Sequence, residues 1–338
     1  MGLCSSRHSL AEQQPHHSKP YRRHLHSQDT APPAWEPAPE RSHRLGLFDE
    51  ASDEDWESAE VYCATHPPVS PRMLASDVID RIRLLGCRAW GLEHPTTPRF
   101  VGRIDEGNQG NGVVGIWKVC TQENCKDICL LSDLPVMAGL YDIRGKRGIY
   151  YEVRVNKMEG TVAIGTSLVI ILVAEGFHDH QLKCLDTGTA CKPYPSWRMP
   201  GWNRLSAGLH LDDMRKFFED PHGGRDYSPE LSRISSGDII GCGYQFDTGT
   251  LFFTHNGHRL PNAFTGIYLP RVDHDVYAAI GLDGANEIEV NFGSSVFQWY
   301  EGNDVAWRVD GHVGYIVGSG PGQDEKLPSY SEATSRFR

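Results

Sequence analysis

From about residue 92 to residue 300 the chain is a succession of short apolar runs at period two, punctuated by Gly and Asn. GIYYEVRV (148–155), TVAIG (161–165), GDIIGCGYQF (237–246), TLFFTHNGHRL (250–260), VYAAIGL (276–282) and EIEVNFG (287–293) all read as strands. Asn256-Gly257 stands between two apolar arms, and both residues tolerate the positive φ that a type I′ hairpin turn demands. Little helix pattern intervenes, so the expected fold is mainly β, an antiparallel sandwich. At 338 residues the chain is long enough to bury a full core between two sheets.

The flanks read differently. Residues 1–70 are rich in His, Ser, Pro and charge without sustained apolar periodicity, and are expected to be disordered. Within them LFDEASDEDWESAE (47–60) reads as an acidic solvating segment, with a docking or phosphorylation segment around Ser52 as the alternative. Over 71–91, Pro71 is a helix-start signal, and Val78, Ile79, Ile82 and Leu85 share one helical face that Gly86 or Gly91 would end. Residues 301–338 read as a flexible tail.

Composition narrows the function. A formal net charge of -11 makes sequence-independent phosphate binding a poor fit, so no nucleic-acid partner is expected. Nine irregularly spaced cysteines, with no signal peptide and no glycosylation sequon, read as reduced thiols. The longest apolar run, Leu168 to Ala174, is too short to span a bilayer.

Motifs with chemistry are few. GNGVVG (110–115) satisfies G-x-G-x-x-G, but a polar loop precedes it and strand-like VVGIWKV follows, so it reads as a loop entering a strand. Cys120, Cys125 and Cys129 lack the matched short pairs of a zinc site. No nucleophile elbow, HExxH or phosphate loop occurs, and Asp212-Asp213 and Glu219-Asp220 read as turn residues. No catalytic residue, metal or cofactor is expected.

GIYYEVRV, KPYPSWRMPGWNRLSAGLHLDD (192–213), GDIIGCGYQF, the FFTHNG hairpin and YAAIGL with EIEVNFG occur in the order found in SPRY domains, and residues 92–300 resemble that family. The resemblance implies a bent two-sheet β-sandwich that binds peptides or partner proteins through loops at one edge. The loop after the PGW motif and the turn between the last core strands carry Trp202, Asn203, Arg204, His210, Arg215 and Asp283, which the resemblance makes the candidate partner-binding residues. Trp202 reads either as an exposed anchor or as a core aromatic of the PGW turn.

CRAWG (87–91), KPYPSWRMPG and the C-terminal Leu327-Pro328-Ser329-Tyr330 are similar in layout to fungal SPRY adaptors that recruit a HECT ubiquitin ligase, through its WW domains, to membrane cargo. Leu327, Pro328 and Tyr330 are then the WW ligand, in an LPxY form with one proline where the family has PPxY. Those adaptors carry a transmembrane anchor before this region. In its place Met1-Gly2-Leu3-Cys4-Ser5-Ser6 fits a pattern for myristoylation of Gly2, with Cys4 placed for palmitate. The expected location is the cytoplasmic face of endosomal, vacuolar or plasma membranes, and otherwise the cytoplasm. The alternative is a SPRY scaffold in a nuclear chromatin-modifying or cytosolic ligase complex.

One segment departs from the family. SLVIILVAEGFHDHQLKCLDTGT (167–189) lies between repeated Gly-Thr pairs, and its removal restores VAIGTACKPYPSWRMPGW. Its apolar run is an aggregation hazard on a sheet protein, so 167–189 reads as an insertion, either a true loop or translated intron.

Overall fold

A computed structural model describes residues 52–67, 73–109, 113–167, 193–203, 206–220, 223–267 and 275–314. Thirteen strands occur among them: β1 (Gly102–Gln109), β2 (Val113–Thr121), β3 (Ile128–Leu131), β4 (Gly148–Met158), β5 (Thr161–Ser167), β6 (Ser206–His210), β7 (Arg215–Phe218), β8 (Arg225–Asp226), β9 (Ile239–Gln245), β10 (Thr250–His255), β11 (His258–Phe264), β12 (Tyr277–Asp283) and β13 (Asn286–Asn291). They form a seven-stranded sheet, β1-β2-β13-β4-β9-β10-β11, and a six-stranded sheet, β3-β12-β5-β6-β7-β8. Every pairing is antiparallel. The six runs read from period two all become strands, and the β10–β11 turn has φ of 48° at Asn256 and 80° at Gly257.

The core lies between the sheets. Ile149, Tyr151, Val153 and Val155 of β4 enter it at alternate positions, meeting Val162 and Ile164 of β5, Leu209 of β6 and Ile280 and Leu282 of β12. Each fully buried side chain of this size contributes roughly 1.5–3 kcal/mol. The opposite face of β4 is also covered. Tyr150 joins Phe252, Phe297, Trp299 and Trp307 in a second apolar cluster, so residues beyond the last strand roof the seven-stranded sheet. Glu152 fastens that roof, accepting from the backbone N–H groups of Gln298 (3.1 Å) and Trp299 (3.0 Å) and from the Tyr150 hydroxyl (2.9 Å).

Three expected boundaries are corrected. The domain does not stop near residue 300, because Trp307, Val309 and Val313 are buried and the His312 ring accepts from the Ala138 N–H (2.9 Å). The helix expected over 71–91 is shorter. It runs as α2 (Ser76–Leu85), after extended Ala75, and is ended by Gly86 at φ 59°. Leu74 precedes it in extended chain, its N–H held by the Tyr141 hydroxyl (3.0 Å), and Trp90 after it is already core.

The third correction is α1 (Asp53–Thr65), inside the stretch expected to be disordered. Ser52 caps it by accepting from the Asp55 N–H, and Asp53, Glu54 and Asp55 occupy the first turn, where acids favour the helix dipole. Only Ala59 and Cys63, four residues apart, are buried, which is why no apolar stripe marks it in the sequence. Among the described residues no helix is long and apolar enough to cross a membrane.

Candidate partner-binding surface

The segment 193–203, PYPSWRMPGWN, lies against the outer face of the six-stranded sheet. Glycines admit it. A Cβ at Gly208 would sit 2.4 Å from the Pro200 carbonyl oxygen, and one at Gly281 2.3 Å from the Met199 sulfur. Polar anchors then fix its path. The Tyr194 hydroxyl donates to the Met199 carbonyl (2.9 Å), the Gly201 N–H donates to the Ser206 hydroxyl (2.9 Å), and the His210 ring bonds the Pro200 carbonyl (3.0 Å). At its start the Cys129 N–H donates to the Ser196 carbonyl (2.8 Å), tying the loop to the edge strand β3. Such a loop loses little freedom on meeting a partner.

Within it sits a buried cation. Arg198 is fully buried, its Nε donates to Asn203 Oδ1 (2.6 Å), and its guanidinium stands 5.0 Å from the Trp202 ring centre. Its Nη1 and Nη2 have no hydrogen-bond partner among the described residues. Burial lowers the pKa of this guanidinium, against the fields of Tyr194, Asp127, Asp55 and Glu60. Burial, then the Asp283 carboxylate, pushes Asp127 up to about 6, opposed by Arg99 and Arg198.

α1 lies over this loop. Arg99 grips Asp55 with two N–H groups (2.6 and 3.3 Å), Tyr62 meets the Trp197 ring edge-on at 5.3 Å, and Asn203 Nδ2 donates to the Cys63 sulfur (3.7 Å). Beside the loop a cleft of ≈ 370 Å³ is lined by Glu93, His94, Cys129, Leu131, Tyr194 and Ser196 among others.

The expected binding residues divide accordingly. Trp202 is 5% exposed and packs with Ala163, Met199 and Phe217, so it is the core aromatic of the PGW turn rather than an exposed anchor. Asn203 and His210 are buried as well and position the loop instead of facing outward. Arg215 donates to the Gly223 carbonyl and faces Asp226 at 3.6 Å, bracing β7 against β8. Asp283 ends β12 beside the Gly284 turn and acts electrostatically on Asp127. Arg204, Gly2, Cys4, Leu327, Pro328 and Tyr330 lie outside the described residues, as does the segment 168–189. Sequence reasoning passed over Trp197, Arg198, Arg99 and Asp127. The available signal was an arginine flanked by Trp and Met in a proline-bounded loop.

Cys63 is buried, Cys87, Cys125, Cys129 and Cys242 are buried free thiols, and Cys120 is half-buried and free. Burial raises the thiol pKa of Cys129 and pushes that of Cys242 up to about 12.

Residues 148–295 match the family model of the SPRY domain. The chain carries a SPRY domain. The match runs from β4 through β13, and SPRY domains are protein-interaction modules. Protein ssh4 of Sclerotinia sclerotiorum is 34% identical over 133 residues, which are 39% of this chain and 24% of that protein. A SPRY domain-containing protein of Schizosaccharomyces pombe is 35% identical over 130 residues, 38% of this chain and 31% of its own length. The chain thus spans less than a third of these curated relatives. The crystal structure of a human SPRY domain aligns at 20% identity with a TM-score of 0.37, over 61% of this chain and 99% of that one.

Proposed function

We propose that the chain is a non-catalytic adaptor whose SPRY domain binds a cargo protein and whose C-terminal segment recruits a WW-domain HECT ubiquitin ligase at a membrane. The observation that carries the reading is the SPRY domain with its pre-set 193–203 loop, a surface suited to proteins rather than to chemistry. The similarity to fungal ssh4 proteins supports it. Pro328 pre-sets the extended conformation that a WW groove takes, and Tyr330 supplies the aromatic. Gly2 and Cys4 supply two acyl sites, which together anchor where one chain alone binds only marginally.

Two measurements test the arms. A labelled peptide of residues 322–336 binds the WW domains of a HECT ligase, and Tyr330→Ala weakens it at least ten-fold; equal binding of the two peptides removes the ligase arm. In membrane fractionation, Gly2→Ala moves the protein to the soluble fraction and Cys4→Ser moves part of it. Unchanged membrane association of Gly2→Ala removes the lipid anchor.

A further inference from the structure

We propose that α1 is a displaceable internal occupant of the partner-binding surface, and that the partner which replaces it presents an acidic segment bearing an aromatic side chain. The inference deepens the protein-binding reading by naming the surface and the chemistry of what it takes.

The occupant's own contacts define that chemistry. α1 offers a carboxylate to Arg99 and the Tyr62 ring to Trp197, and it covers Asn203, which holds Arg198. The surface therefore reads one acid and one aromatic, six to eight residues apart on a helix.

Among the described residues the seating of α1 is light in buried apolar area. Two buried residues contribute little apolar area, and a helix of this length is marginal by itself in water. The Arg99–Asp55 pair is part-exposed, with side chains 34% and 23% accessible, so solvent screens it. Beneath the helix the two Arg198 nitrogens have no hydrogen-bond partner among the described residues, although Asp55 and Glu60 are near enough to act on them electrostatically. A buried guanidinium with two nitrogens unsatisfied is costly, and a carboxylate that reached them would recover that cost. An incoming acidic segment that satisfies those donors therefore has an advantage that α1 leaves unused.

The test uses the full chain and needs neither ligase nor membrane, so its result is independent of the adaptor arms. The probe is a labelled synthetic peptide of residues 50–67 added in trans. Asp55→Arg combined with Tyr62→Ala releases the internal helix without touching the sandwich core. The peptide is expected to bind this released chain at least ten-fold more tightly than it binds wild type, whose own α1 competes. Adding Arg99→Ala to the released chain is expected to cut that binding at least ten-fold, with thermal unfolding of each variant confirming the fold. Equal binding to released and wild-type chains, absence of binding to both, or indifference to Arg99→Ala overturns the proposal.

Discussion

Single residues in this molecule show how burial sets charge. Asp127 is partly withdrawn from water and lies beside the Asp283 carboxylate, which together push it up to about 6 from an ordinary 3.8. A carboxyl with a raised folded-state pKa binds its proton more readily folded than unfolded. Its presence therefore costs stability as pH rises through that window, and the cost is complete above about 6. Asp127→Asn should raise the urea midpoint at about pH 7.5 and leave it nearly unchanged at about pH 3.5. An equal shift at both pH values contradicts this account. Burial raises the pKa of Glu152 as well, but here three donors oppose the rise and hold the acid in place. Glu152→Ala strands those donors and should destabilise the domain by on the order of 3 kcal/mol in chemical denaturation, with Glu152→Gln costing visibly less. Neither role was legible beforehand. Asp127 sits in an unremarkable polar loop, and the worth of Glu152 depends on a roof contributed by residues almost 150 positions later.

At the scale of elements, legibility follows the source of each element's stability. The β4, β9 and β10 runs announce themselves because alternating β-branched and aromatic residues meet a core on one face at least. The β6, β7 and β8 strands are four or five residues or fewer, too short for a period to register. α1 escapes for another reason: its stability comes from a cap, first-turn acids and a few polar contacts instead of an apolar stripe. Ser52→Ala should therefore cost α1 about 1 kcal/mol, seen as faster amide exchange over 53–65 with the strands unchanged. The binding loop depends on the missing side chain at Gly208. Gly208→Ala places a methyl against the Pro200 carbonyl and should lower stability by roughly 1–3 kcal/mol. Exchange should rise over 193–203 first; unaltered protection there would show that the loop does not rest on this contact. Because Trp202 fills the space among Ala163, Met199 and Phe217, its burial follows from how the loop closes, which sequence alone leaves open.

For the whole molecule, the family order of strand motifs made the sandwich and its protein-binding class readable, since each motif marks a strand or turn that the fold requires. The extent of the domain was not readable, because Trp299, Trp307 and Val313 lie in Gly- and Asp-rich sequence and gain their burial only from the sheet they cover. The 167–189 segment is a question of gene structure as much as of folding. Thr166, the residue before it, pairs with Ala207 across β5 and β6, and Ser167, its own first residue, extends that ladder by one pair to Ser206. Transcript sequencing across this junction should find messages that lack the segment, whereas its presence in every mature message means that the loop is real. The adaptor account rests on two separable surfaces, a SPRY loop for cargo and a C-terminal segment for a ligase, with membrane co-residence raising the effective concentration of a weak one-proline ligand. Affinity capture from membranes with wild-type and Tyr330→Ala chains, quantified side by side, tests that separation most directly. The account predicts that Tyr330→Ala loses the WW-domain ligase while keeping the proteins bound through the SPRY domain. Equal ligase capture by both chains would contradict it.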